Sequence, residues 1–182
     1  MGFGMTIARH TCVVAAAFSL CLTTTGAALA DGGDKGSSSG TTCPRGEVYD
    51  ARTMSCVKQG SGVLPDKALT DYAYALAKAE RYDEAIEVLN LLKNPKTAKA
   101  LNYRGYATRK LGRTDECIAY YLKSVALDPH YAQVREYLGE AYVIKGDIGR
   151  AKAQLRAIKA ICGIGCEEYE DLAKAIGEGA KT

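Results

Sequence analysis

From residue 66 onward, apolar positions recur along the chain at intervals of three and four. Leu69, Tyr72, Ala73 and Leu76 form one series; Ile118, Tyr121, Leu122 and Val125 form a second; Ile148, Ala151, Leu155 and Ile158 form a third. This spacing keeps apolar side chains on one face of a 3.6-residue turn and predicts amphipathic helices. A last stretch, Glu168 to Ile176 with Tyr169, Leu172, Ala173 and Ile176, predicts a closing helix over the open end of the array. The preceding segments differ in texture. Asp31–Thr42 is rich in Gly and Ser without apolar periodicity and reads as a flexible tether. Cys43 to Cys56 is a compact island with turn formers at its start, Pro44 and Gly46, and one apolar pair, Val48 and Tyr49. A second linker, Gln59 to Pro65, follows it.

The helical zone repeats. Arg81-Tyr82-Asp83-Glu84-Ala85-Ile86 matches Arg113-Thr114-Asp115-Glu116-Cys117-Ile118 at four of six positions, 32 residues apart. Gly146 follows Gly112 by 34 residues. These two glycines stand where a helix should stop, whereas Asn94-Pro95 and Asp128-Pro129 mark joints between units. Each unit therefore reads as helix, tight turn, helix.

On these residues the chain resembles the tetratricopeptide repeat family. The middle unit carries Leu101, Gly105, Cys117, Tyr121, Ser124 and Pro129 at matching spacing. The third carries Leu138, Gly139, Tyr142 and Ala151, with Gly163 where proline is usual. The first carries Tyr72, Ala73, Ala85 and Leu89 and is about two residues short. The resemblance covers roughly residues 66–163. It implies an all-α fold of about three helix-turn-helix units plus a C-terminal capping helix, preceded by a short disulfide-closed loop. It also implies a groove, lined by the first helix of each unit, that holds a partner peptide. Carried over by alignment, that groove would present Tyr74, Lys78, Asn102, Tyr106, Arg109, Lys110, Glu136 and Glu140, flanked by Lys67, Thr70, Gln133 and Ile144. It would be basic at one end and acidic at the other. The family's carboxylate-binding subtype is disfavoured, because Glu136 and Glu140 would repel a terminal carboxylate.

Residues 1–30 read as a secretory signal peptide: Arg9 and His10, an apolar run from Cys12 to Leu22, then Ala28-Leu29-Ala30 as the cleavage site. The run is shorter than the roughly 20 residues that span a bilayer. No later segment approaches that length, so no transmembrane segment is expected after cleavage. The expected organisation is signal peptide 1–30, tether and Cys43–Cys56 loop 31–65, and helical repeat domain 66–178. The expected destination is a bacterial periplasm. A formal charge of +3, from 24 basic and 21 acidic residues with no dense basic cluster, disfavours nucleic acid as partner.

Export gives the cysteines a role. Loss of the leader leaves five: Cys43, Cys56, Cys117, Cys162 and Cys166. Cys43 with Cys56, and Cys162 with Cys166, is the choice of two bridges that keeps both loops short. Cys117 then remains as a small buried thiol in the place where the family packs a small residue. Connectivity stays open at the level of sequence. Two other uses of these cysteines present themselves. A thiol redox or quality-control factor of the envelope would use Cys162, Cys166 and Cys117, but three residues, not two, separate the first pair. Zinc would need ligands about 100 residues apart with only His130 to assist, so no metal is expected. The island also resembles the Cys-Pro-x-Gly-x-x-aromatic stretch of peritrophin-type chitin-binding modules at Cys43, Pro44, Gly46, Tyr49 and Cys56. That resemblance implies a glycan-contacting loop as a further alternative.

Nothing in the chain reads as a nucleophile elbow, a phosphate-binding glycine loop or a metal triad, so neither catalysis nor a cofactor is expected. Glu167, Glu168, Glu170 and Asp171 lie where they complement a helix dipole. The expected function is a scaffold or adaptor that binds a protein or peptide partner.

Overall fold

A computed structural model describes residues 42–60 and 64–179. The proposed signal peptide and most of the tether lie outside the described residues. Two short strands, β1 (Glu47–Asp50) and β2 (Ser55–Lys58), are followed by seven helices. These are α1 (Asp66–Lys78), α2 (Tyr82–Leu89), α3 (Ala98–Lys110), α4 (Thr114–Leu127), α5 (Ala132–Ile144), α6 (Ile148–Cys162) and α7 (Glu167–Gly179). They form three antiparallel pairs, α1–α2, α3–α4 and α5–α6, with α7 packed across α5 and α6. The first helices also touch one another, α1 against α3 and α3 against α5. The repeat and the closing helix expected from the spacing are both present.

One turn geometry, used three times, makes the pairs. Arg81, Arg113 and Asp147 each donate a backbone N–H to the carbonyl five residues earlier, on Leu76, Thr108 and Tyr142. Such a turn needs a left-handed residue just before the donor. Gly112 and Gly146 supply it at φ +79° and +74°. The first unit uses Glu80 at φ +61°, which hides that turn from any search for glycine.

The core follows the predicted faces. Ala73, Leu76, Ala85, Val88 and Leu89 fill the first unit; Ala107, Cys117 and Tyr121 fill the second; Leu138, Ala141, Ala151 and Ile158 fill the third. Close approach depends on two helical glycines. A Cβ built on Gly105 would lie 2.5 Å from the Tyr121 ring, and one on Gly139 would lie 2.5 Å from Leu172. The first contact joins α3 to α4, and the second seats α7 on α5.

The Cys43–Cys56 loop is an antiparallel hairpin pairing Glu47 with Lys58 and Tyr49 with Cys56, and it is closed by the expected disulfide. It packs on the first unit. Val48 and Cys43 are buried in the same core cluster as Tyr72 and Leu76. The Cys43 N–H donates to the Tyr72 hydroxyl at 2.8 Å, and Arg81 Nη1 donates to the Cys43 carbonyl at 2.7 Å. Arg81 also clamps Glu84 with two bonds of 2.8 and 2.7 Å, which ties the hairpin to the start of α2. A strand pair too small to bury a core alone thus caps the exposed end of the array.

Two substitutions test this account by urea denaturation. Gly105→Ala should cost about 1–3 kcal/mol, because Tyr121 is fully enclosed and cannot retreat. Glu80→Gly should stabilise by about 0.5–1 kcal/mol by relieving a left-handed side chain. Gly105→Ala with unchanged stability would remove the close-packing argument.

Candidate functional site

Four tyrosines knit the first helices of the three units into one face. Tyr74 of α1 stacks on Tyr103 of α3, with ring centroids 4.3 Å apart and planes 15° apart. It also meets Tyr106 edge-on at 6.3 Å. Tyr106 in turn contacts Tyr137 of α5 at 5.1 Å. Such pairs contribute beyond simple burial, and each phenol adds a polar tip. Burial pushes the Tyr103 hydroxyl up to about 12 and raises that of Tyr137 as well, so both remain neutral donors at any physiological pH.

Arg109 sits over this ladder. Its guanidinium lies 5.7 Å from the Tyr106 ring and 5.5 Å from the Tyr137 ring, and it pairs with Glu140 of α5 at 2.6 Å. Only 10% of its side chain is exposed. Asn102, Tyr106 and Arg109 share a face of α3 because they stand four and three residues apart. The same spacing puts Glu136 and Glu140 together on α5. Lys110 places its ammonium 5.6 Å above the other approach to Tyr106.

Of the eight residues expected to line a groove, contacts join Tyr74, Tyr106, Arg109, Lys110 and Glu140. Lys78, Asn102 and Glu136 share helix faces with them by spacing, and the eight lie at different depths. Lys78 and Lys110 are exposed, and Tyr74 and Glu140 are half-buried. Asn102, Tyr106 and Glu136 are buried. Asn102 spends its amide inside, donating to the Tyr131 hydroxyl at 3.1 Å and to Gln133 Oε1 at 3.0 Å. Thr70 is likewise buried, and its hydroxyl donates back to the Asp66 carbonyl. Charges on the face are partly neutralised within it. Asp71 takes both Lys67 and Lys99 at 2.7 Å, whereas Lys78 and Lys110 pair with no carboxylate among the described residues. At the other end, an open depression of about 370 Å³ lies between Arg109, Glu140, Ile144 and Ala175 of α7.

Glu136 is the unusual titratable group. Burial, followed by the nearby charges of Glu140, Asp171 and Glu168, pushes its carboxyl up to about 8, and Arg109 opposes this only weakly. The acidic end of the face consequently carries less negative charge than its residue count implies.

Tyr103, Tyr131 and Tyr137 belong to the site without having been expected in it. A signal existed for two of them: Tyr103 and Tyr137 occupy the same repeat position, 34 residues apart.

Both expected disulfides are present, Cys43–Cys56 and Cys162–Cys166. Cys117 is fully buried, gives its thiol hydrogen to the Thr114 carbonyl at 3.0 Å, and is pushed by burial up to about 11. A thiol held neutral out of solvent is a packing group, not a nucleophile. Glu168 lies beside Cys162 and Cys166, but those sulfurs are bonded to each other and offer no thiolate to a metal. Tyr49, the aromatic of the hairpin, leans on α1 beside Tyr72 and Pro65 and borders a depression of about 390 Å³. No helix among the described residues is long and apolar enough to cross a membrane.

Residues 98–131, which span α3 and α4, match the tetratricopeptide repeat family. No curated protein matches the chain. Among solved structures, the first such domain of Spaghetti (RPAP3) bound to the HSP90 peptide SRMEEVD is similar at 18% identity and a TM-score of 0.56. That match covers 64% of this chain and 94% of the other. The Yersinia enterocolitica type III secretion chaperone SycD, in complex with a peptide of the translocator YopD, is similar at 16% identity and a TM-score of 0.54. Its match covers 66% of this chain and 95% of SycD. PcrH from Pseudomonas aeruginosa is similar at 17% identity and a TM-score of 0.51, over 64% of this chain and 89% of PcrH. At such identities the likeness establishes the fold. The chain carries a tetratricopeptide repeat within a helical region of tetratricopeptide fold.

The buried Glu136 carboxyl makes stability depend on pH in a defined direction. Below about pH 4.5 it is protonated in both states; between there and about 8 only the unfolded chain ionises it. Its stabilisation is thus present at acid pH and lost as pH rises through the folded value. Glu136→Gln should flatten the fall in melting midpoint between pH 5 and 8.5 and stabilise the protein at the upper end by about 2–4 kcal/mol. A variant profile superimposed on that of the parent would exclude Glu136 as the group responsible.

Proposed function

We propose that this tetratricopeptide-fold chain is an exported, non-catalytic adaptor of the bacterial cell envelope that holds a peptide segment of a partner protein along its α1–α3–α5 face. The observation that carries this proposal is the continuous ladder of Tyr74, Tyr103, Tyr106 and Tyr137 braced by Arg109 across three helices. Aromatic rings, here half-buried at Tyr74 and buried at the other three, beside a mostly desolvated arginine are side chains of the kind that dominate protein interfaces. Because neighbouring helices already hold these rings, a partner binds without ordering the receptor, which lowers the cost of association.

The exposed ammonium groups of Lys78 and Lys110 favour acidic residues in the partner segment lying over α1 and α3. Toward α7 the depression suits an uncharged or basic side chain, since Arg109 and Glu140 already satisfy each other and Glu178 also lines it. The Spaghetti and SycD complexes, in which this fold holds a peptide, support the same use. Export is supported by the Arg9–Ala30 leader pattern and by two disulfides, bonds that persist in oxidising compartments.

Photo-crosslinking in a bacterial host carrying the full chain tests this proposal. Benzoylphenylalanine at Lys78 or Lys110 should give one discrete adduct in the periplasmic fraction, on a chain whose N-terminus is Asp31. The same probe at Lys152, exposed on α6, should give none. Equal labelling from Lys152, or a chain retained inside with its leader, would overturn the proposal.

A further inference from the structure

The middle unit opens another depression, of about 620 Å³, on a different face of α3 from Asn102, Tyr106 and Arg109. Leu101 forms its buried floor, and Tyr120, Ala126 and Leu127 of α4 form one wall. Repeat alignment explains the space. The residue preceding the small packing position is Tyr72 in the first unit and Leu138 in the third, and both are buried. In the middle unit that residue is Arg104, which is half-buried and turns its guanidinium toward Asn90 Oδ1 at 2.8 Å. The repeat signature also places a tryptophan at the position of Leu101. A smaller apolar residue and a cation thus stand where two bulky apolar side chains would fill the gap.

The rim carries one sign of charge. Lys96, Arg104 and Lys123 surround the depression, no carboxylate lines it, and none of the three pairs with one among the described residues. Arg104 and Lys123 instead lie 5.9 and 6.0 Å from the Tyr120 ring, which orients them around the wall. Leu127 remains 56% exposed at the edge.

We infer that this depression is a second docking site, for an acidic peptide segment that inserts one large apolar side chain over Leu101 and sets carboxylates against Lys96, Arg104 and Lys123. The volume lies within the range of ligand pockets, and the opening is broad enough for a main chain to pass. Charge complementarity selects the acidic class. The site shares no residue with the α1–α3–α5 face, so it stands or falls independently of that proposal.

Panning a random dodecapeptide library on the mature chain, followed by anisotropy titration of labelled clones, provides the test. Clones rich in Asp and Glu around a Leu, Phe or Trp are expected. Their affinity should fall at least tenfold in Leu101→Trp, which fills the space with the residue of the repeat signature and keeps the cations. It should fall as far in Lys96→Glu/Lys123→Glu, which keeps the space, and should not change in Lys152→Glu, exposed on α6 and outside both sites. Melting curves confirm that each variant folds. Decanoate tests the same chemistry from a lipid source: displacement of bound clones by decanoate alone, with no acidic clone selected, would overturn the peptide assignment. So would clones indifferent to both Leu101→Trp and the double reversal.

Discussion

Much of the molecule depends on the contact between the Tyr121 ring and the bare Cα of Gly105. Because nothing projects from Gly105, α4 lies close enough to α3 for the ring to be wholly enclosed. The far side of that ring reaches Tyr137 of α5 at 6.2 Å, so a single side chain fixes the middle unit internally and orients it against the next. Tyr137 then supports Tyr106 and receives Arg109. The candidate binding face is the outer layer of this packing and inherits its rigidity.

The two ends of the array are closed by unlike devices that solve the same problem. A terminal repeat unit exposes the apolar surface that a neighbour would have covered. At the C-terminal end α7 serves as that neighbour, pressing Leu172 onto Gly139 with Cys162–Cys166 at its entry. At the N-terminal end a disulfide-closed hairpin lays Val48 and Cys43 over α1 and is held by Tyr72 and Arg81. The hairpin is therefore part of the folded array as well as a link to what precedes it, and Arg81 couples its placement to the first tight turn.

Two faces of α3 lead to different surfaces. One buries Asn102 and Tyr106 under a tyrosine ladder; the other, at Leu101 and Arg104, leaves a basic depression. The depression arises where the middle unit departs from the repeat, whereas the ladder uses recurring positions, Tyr74 with Tyr106 and Tyr103 with Tyr137.

The local pattern by itself determined the helices, their pairing and the closing helix, because 3.6-residue periodicity, left-handed turns and proline joints act over a few residues. The short cysteine spacings likewise pointed to the two bridges. The turn at Glu80 was not legible, since no glycine marks it. Only the tertiary structure decided which residues of the expected groove remain reachable. Asn102 is sequestered by Tyr131 and Gln133, residues 29 and 31 positions away. It also decided that Glu136 is buried among carboxylates from α7, that the hairpin rests on Tyr72, and that Arg104 leaves a space. Each of these outcomes depends on which side chains from distant elements exclude water from the same place, and spacing along one helix carries no record of that.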